Sequence, residues 1–342
     1  MAGSVAMAPP HAYSCQMPVF TSSYIIQVAA PSATPIFVAD AAQAGAMPRR
    51  LPAAQIPGDG PQACTDDQAT MDAHNQLMLQ LQESTVALQQ DRAALLAKSA
   101  LKLSQDYEGC RLVQQALEEA DSDGVRDALV ETLRGHVWEL MACPHANHVL
   151  QKFIITSRPT ACQFLVDELA KQGLASACKL ARHKYAYRVF QRLLEHLMPQ
   201  QTAGLVEGLV VECVPLSMHR YGTFVMQHAL EYCSDAQRER IVAAMLPHIS
   251  KLSVNNDACM VLDRALVKAC ARTQDVLVKA ILANTDAIGS MAHTRRGHAV
   301  VLSLLELAGG EHLEEAAQQL SKQASSLRRN RFGRLVLAAS EA

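Results

Sequence analysis

The 342-residue sequence is poor in aromatic residues, which make up 4% of it and include a single Trp. A chain so short of large flat side chains, and dominated by Leu, Ala and Val, favours helices packed on helices over a β-sandwich core. No apolar run approaches the ~18 residues that span a bilayer. No basic segment leads into an apolar one at the N-terminus, so neither a membrane span nor a secretory signal is expected. The ten cysteines form no C-x-x-C pair and no short Cys…His spacing, which argues against structural zinc. They read as reduced, half-buried thiols of a cytosolic or nuclear chain. A G-x-x-x-x-G-K-[ST] phosphate loop and a G-x-S-x-G elbow are both missing, and carboxylate pairs fall only on polar helix faces, so neither catalysis nor a cofactor is expected. Charge excess is lacking as well, the formal net charge being -2. Residues 1–99 carry four Lys/Arg against seven Asp/Glu, and residues 100–342 carry 27 against 26. Any basic face must therefore come from segregation of charge.

Residues 1–65 form an Ala/Pro/Ser/Gly-rich arm without Lys, a composition that cannot pack a core and predicts disorder. Its short apolar stretches, Tyr24–Ala30 and Ile36–Ala39, read as linker. Between residues 66 and 100 the sequence turns to strong helix formers with an imperfect stripe of Leu77, Leu79, Leu81, Val86 and Leu88. One or two helices capping a larger array, or a degenerate repeat, would account for it.

From residue 101 onward the chain repeats. GCRLVQ (109–114), ANHVLQ (146–151), AYRVFQ (186–191), GTFVMQ (222–227), ACMVLD (258–263), GHAVVL (297–302) and GRLVLA (333–338) align on their second residues. These markers, position i of each repeat, are Cys110, Asn147, Tyr187, Thr223, Cys259, His298 and Arg334, spaced by 37, 40, 36, 36, 39 and 36 residues. Seven residues before each stands Leu or Met; immediately before each stands Gly or Ala; i+2 is Leu or Val and i+3 is apolar. Apolar residues at i+2, i+3 and i+6 or i+7 describe a helix burying one face, which predicts that i, i+1 and i+4 project together from the other side. The small residue at i−1 lets the helix start approach its neighbour. A second apolar helix precedes each marker, as in TACQFLVDELAKQG. A unit of about 36 residues cannot bury its own face, so stacked units make a solenoid.

Among solenoids the choice rests on the triplets at i, i+1 and i+4: Cys110/Arg111/Gln114, Asn147/His148/Gln151, Tyr187/Arg188/Gln191, Thr223/Phe224/Gln227 and Cys259/Met260/Asp263. A Gln amide offers donors and an acceptor suited to a base edge, while flat groups at i+1 stack on bases. A basic inner face is expected from Lys152, Lys184, Arg188, Arg192, Arg220, Arg264, Arg295 and Arg296, which lie in or just before the marker helices. Arg328, Arg329, Arg331 and Arg334 either grip phosphates or cap the array. His145 and His148 form an H-x-x-H with no third ligand nearby, and no metal is expected. An armadillo- or HEAT-like solenoid that holds a peptide is the alternative.

HKYAYRVFQRLLEH, YGTFVMQHALEY and ANHVLQKF resemble repeats of the Pumilio (PUF) family almost along their whole length, and the resemblance extends over residues 100–342. It implies a right-handed α-solenoid of about seven three-helix, armadillo-like repeats that binds single-stranded RNA one base per repeat. By the same resemblance Cys110/Gln114 read adenine and Asn147/Gln151 uracil. Tyr187/Gln191 departs from the usual small residue and suggests adenine, Thr223/Gln227 uracil or adenine, and Cys259/Asp263 a guanine. Arg111, His148, Arg188, Phe224 and Met260 are the implied stackers. His298/Leu302 and Arg334/Ala338 do not match the code. The family's antiparallel binding gives a core 5′-(G)(U/A)(A)UA-3′, similar to the interior of UGUA-containing elements in mRNA 3′ untranslated regions. Post-transcriptional control in the cytoplasm, through translational repressors or deadenylation machinery, follows from the resemblance, with the nucleus as a second location. A nonspecific RNA-binding relative acting in ribosome assembly is the other branch of that family.

Overall fold

The computed structural model describes residues 75–79 and 89–341. The arm over 1–65, with Tyr24–Ala30 and Ile36–Ala39, lies outside them, as do Leu81, Val86 and Leu88. Within 75–79, a helical turn buries Met78, packs Leu77 against the core and leaves Leu79 exposed, so of the expected stripe Leu77 faces inward and Leu79 does not.

Helix α1 (Gln89–Gln105) runs through residue 100, where the sequence suggests a boundary, and packs on both α2 (Gly109–Glu119) and α3 (Asp123–Val130). It covers the open end of the array and also stands where later repeats place an outer and a short helix. Each later repeat has those two pieces followed by the marker helix. The second is α3, α4 (Val137–Ala142) and α5 (Ala146–Thr156); the third α6 (Gln163–Lys171), α7 (Leu174–Ala181) and α8 (Ala186–His196). The fourth is α9 (Pro199–Val211), α10 (Cys213–Ser217) and α11 (Gly222–Tyr232); the fifth α12 (Asp235–Met245), α13 (Ile249–Ser253) and α14 (Asn256–Lys268). The sixth is α15 (Ala271–Leu282), α16 (Ala287–Ala292) and α17 (Gly297–Leu307); the seventh α18 (Glu311–Lys322), α19 (Ala324–Leu327) and α20 (Arg331–Ser340). No strand occurs among the described residues.

The marker helices stack in chain order, α2 on α5, α5 on α8, and so on to α17 on α20, while the outer helices α6, α9, α12, α15 and α18 stack as a second layer. One continuous core lies between them. The i+3 and i+7 residues of the repeats, such as Leu150 and Ile154, Phe190 and Leu194, or Leu262 and Leu266, are buried in it. The protein is an all-α solenoid, as the period predicts.

The small residue at i−1 has a specific reason. A Cβ on Gly109, Gly222, Gly297 or Gly333 would stand 2.6, 2.7, 2.5 or 2.4 Å from the carbonyl oxygen at i−7, that of Leu103, Leu216, Met291 or Leu327. The i−7 side chain is itself buried in all seven repeats. The short helix and the marker helix thus meet at one residue in each repeat; in the four glycine repeats even a methyl must push them apart, and repeats two, three and five are spaced for Ala.

A second recurrence is invisible to periodicity. The residue at i−4 accepts a hydrogen bond from an N–H at the start of the marker helix, within its first turn or, in repeat three, at the residue before it, in every repeat. Asp106 Oδ2 takes Gly109 N at 2.7 Å, Cys143 Sγ takes Ala146 N at 3.5 Å, and His183 Nδ1 takes Tyr185 N at 3.4 Å. His219 Nδ1 takes both Tyr221 N and Gly222 N, at 3.2 and 3.3 Å. Asn255 Oδ1, Thr294 Oγ1 and Asn330 Oδ1 complete the set at 2.9, 2.9 and 2.8 Å. Each satisfies a donor that the helix geometry leaves unpaired.

Two measurements check this account. Gly222→Val is expected to lower stability by ~1–3 kcal/mol through overpacking, read as a drop in the urea midpoint. The imidazoles of His183 and His219 can accept an N–H only when neutral. Burial, then Lys184 for His183 and Arg182 and Arg220 for His219, hold both below the ordinary histidine value, with Asp257 opposing at His219. The unfolded chain therefore takes up protons first as the pH falls. The stabilisation from these caps is whole above about pH 6.5 and is lost as the pH drops through the lower folded values. The double variant His183→Asn/His219→Asn, with the cap residue of repeats five and seven, is expected to flatten the urea midpoint between pH 7.5 and 5.5.

Candidate nucleic-acid interface

The marker helices present i+1 and i+4 on the face turned away from the core. Arg111, His148 and Arg188 are exposed, and Phe224 and Met260 are half-buried, as are Gln114, Gln151, Gln191, Gln227 and Asp263. Position i departs from the expected outward triplet. Cys110, Asn147, Thr223 and Cys259 are 5%, 1%, 0% and 0% exposed. The reason is the short helix: residue i lies at the edge of the buried stripe, and the turn between short and marker helix closes over it.

From that buried position residue i organises the Gln four residues on. Gln114 Nε2 donates to Cys110 O at 3.0 Å. Gln151 Nε2 donates to Asn147 O at 3.3 Å and Asn147 Oδ1 at 2.9 Å, while Asn147 Nδ2 spends its own hydrogens on Cys143 O and Pro144 O. Gln227 Nε2 reaches Thr223 O and Oγ1 at 3.1 and 3.3 Å, with Thr223 Oγ1 anchored on Asp257 O. In all three the amide nitrogen bonds back to residue i, and Oε1 takes no hydrogen bond among the described residues. Asp263 accepts from Ser303 Oγ through one oxygen, at 2.7 Å, and keeps the other free of protein donors among the described residues.

Repeat three is built differently. Tyr187 is too large for the buried place and lies on Tyr221 and Phe224, with ring centroids 5.3 and 5.6 Å away and planes 17° and 29° apart. Gln191 turns to the next repeat, donating to His228 Nδ1 at 2.8 Å and Phe224 O at 3.5 Å.

The basic face is smaller than the sequence suggests. Lys152 pairs with Glu118, Arg192 with Glu195, Arg264 and Lys268 with Glu231, and Arg296 with Asp257. Several of these bonds tie one marker helix to the next. Among the described residues, Lys184, Arg188, Arg220 and Arg295 meet no carboxylate. Three of them lie over rings: Lys184 over Tyr185, Arg188 near Tyr187 and Arg220 over Tyr221, at 4.5, 5.7 and 4.7 Å from the centroids. Arg111 over Tyr107 and Arg331 over Phe332 extend the row at 4.5 and 5.1 Å. The recurring pairs Lys184-Tyr185, Arg220-Tyr221 and Arg331-Phe332, at i−3 and i−2, were visible in the sequence as a cation followed by an aromatic. His228 carried no such signal. A row of cations over rings beside amide oxygens can hold phosphate, base faces and base edges together.

His145 meets Tyr107 edge-on at 5.8 Å, and no cluster of three or more metal-ligating side chains occurs among the described residues. No helix among them is long and apolar enough to cross a membrane. Burial pushes the thiols of Cys162, Cys213 and Cys259 up to about 12 and those of Cys178 and Cys233 up to about 11, whereas Cys270 is exposed.

A family model described as the Pumilio-family RNA binding repeat matches residues 99–133, 136–170, 176–210 and 212–246. Beyond 246 the structure continues the same unit three more times. A Pumilio domain-containing protein of Schizosaccharomyces pombe is 27% identical over 122 residues, covering 36% of this chain and 17% of that protein. The chain thus spans less than a fifth of that relative. PUF-8 in complex with PBE-RNA superposes with a TM-score of 0.65 at 22% identity, over 72% of each chain. The Puf3 RNA binding domain, bound to a 3′ UTR recognition sequence, gives 0.64 at 22% identity, over 77% of this chain and 75% of that one.

The buried state of position i has a direct check. Iodoacetamide at pH 8 is expected to alkylate Cys270 in the native protein and to spare Cys259 until denaturant is added, as read by peptide mass spectrometry. Fast native labelling of Cys259 would contradict its placement.

Proposed function

For a chain carrying Pumilio-family RNA binding repeats, we propose sequence-specific binding of single-stranded RNA along the marker-helix face, with the i+4 side chains reading base edges. The observation that supports it most is the Oε1 of Gln114, Gln151 and Gln227, left to accept while each amide nitrogen bonds to residue i. Gln114 bonds both the carbonyl and the thiol of Cys110, and the adenine preference at repeat one rests on the resemblance of the Cys110/Gln114 pair to the family's code. Gln151 directs its nitrogen at both acceptors of Asn147, which leaves Oε1 to accept and suits the N3–H of uracil. Gln227 has the same pattern, and this favours uracil at repeat four. The free oxygen of Asp263 accepts from the N–H edge of guanine.

Cys110, Asn147, Thr223 and Cys259 act on this reading from beneath, by orienting the reader. Arg111, His148, Phe224 and Met260 intercalate between bases, and Lys184, Arg188 and Arg220 meet phosphates. Elements in mRNA 3′ untranslated regions are the target class, with post-transcriptional control in the cytoplasm through repressor or deadenylation partners as the role. The repeats supply address and no catalysis.

Selection of a random single-stranded RNA pool on the full chain tests this. A short enriched motif is expected; binding without enrichment would favour a nonspecific RNA binder, and no binding would favour a peptide-holding solenoid. On the selected RNA, Gln151→Ala is expected to cost ~1–3 kcal/mol, with the loss confined to RNAs carrying the preferred base at repeat two. Arg188→Ala and Arg220→Ala should weaken all sequences alike and each lower the slope of log K against log salt by about 1.

A further inference from the structure

We infer that repeat three reads no base: Tyr187 fills its slot, so the RNA passes one unspecified nucleotide between the positions read by repeats two and four. The inference rests on the RNA reading above and refines its register.

Two independent features of this repeat carry it. First, a base read by repeat three would sit between the i+1 side chains of repeats three and four, Arg188 and Phe224. The Tyr187 ring already lies against Phe224 at 5.6 Å and 29°, continues onto Tyr221 at 5.3 Å and 17°, and has its hydroxyl held by Arg188 Nε at 3.2 Å. A stacked ring in that place makes the contacts that a base would make. Second, the edge-reading pair is not assembled. In repeats one, two and four the Gln folds back on residue i, whereas Gln191 bonds to His228 Nδ1 and Phe224 O of the following repeat. The Tyr187 side chain, turned onto the next repeat, puts no acceptor beside it, and Gln191 forgoes even the carbonyl of residue i that the other three use.

The arrangement recurs where the sequence again places a ring at i. His298 of repeat six stacks on Phe332 of repeat seven at 4.8 Å and 27°, the same pairing of i with i−2 of the next repeat as Tyr187 with Tyr221. Its i+4 residue is Leu302, which has no group to read an edge. A flat residue at i thus bridges to the next turn, and a small one supports a reader.

The test is selection of a fully randomised single-stranded RNA pool on the full chain and on two variants. For the native chain, and equally for Tyr187→Phe, the motif should contain one blank position, flanked by specified ones, at which no base is favoured more than about twofold. In Tyr187→Asn, which recreates the Asn/Gln pair of repeat two, that position should gain a preference for uracil of at least about fivefold while its neighbours keep theirs. Asn147 occupies the equivalent place in repeat two, so the substitution has a precedent in the same chain. A native motif that already specifies this position at least about fivefold, unchanged in Tyr187→Asn, overturns the inference and leaves the RNA reading standing. Absence of enrichment at every position overturns both.

Discussion

The contact between the start of each marker helix and the carbonyl at i−7 sets the geometry on which everything else in this solenoid depends. A glycine or alanine at i−1 lets two helices meet with almost no side chain between them. That fixes the angle at which the marker helix leaves the turn, hence which of its residues face the core and which face away. Close packing leaves no room to relax a misfit, so the same register has to be kept seven times. Each repeat also relies on its neighbours to cover its apolar stripe, and an error at one such contact would be passed to the helices on either side.

The reading face is a by-product of that constraint. The turn that closes over position i buries a polar or sulfur-bearing group at the edge of the core, where it needs a partner. In repeats two and four that partner is the Gln one turn later, whereas the Cys110 thiol of repeat one donates to Tyr107 O and Gln114 takes the Cys110 carbonyl. For repeats two and four, the buried residue and the half-buried Gln are one hydrogen-bonded unit, and the chemistry of the first shapes what the second can offer. The charge pattern follows a similar logic. Lys152, Arg264, Lys268 and Arg296 hold adjacent helices together, while Lys184, Arg188 and Arg220 lie over or near rings around repeats three and four.

Much of this was legible before any coordinates. The spacing of Leu103, Leu140, Leu180 and their counterparts, the Gly/Ala at i−1 and the apolar i+3 identify the core and the register, because helical periodicity is a local property of the chain. The Gln series at i+4 was legible for the same reason. Burial of Asn147 and Thr223 was not, since a helical wheel knows nothing of the short helix that covers one edge of it. Nor were the i−4 acceptors: Asp106, Cys143, His183, Asn255 and Thr294 share only the ability to accept a hydrogen bond, which no single residue type signals. The ties of Lys152 to Glu118, Arg264 to Glu231 and Arg296 to Asp257 join residues 33 to 39 apart and become visible only once the repeats are stacked.

The stacking of marker helices also fixes a pitch. Packed helices stand about 8–10 Å apart, whereas neighbouring bases in a stacked strand are about 3.4 Å apart. A polynucleotide that keeps step with the helices, one base to each, has to open every one of its own stacks by more than a factor of two. Duplex segments cannot follow that pitch, and strands with strong internal stacking follow it reluctantly. The array is thus a ruler with coarser graduations than its object, and what it selects first is a strand willing to be stretched.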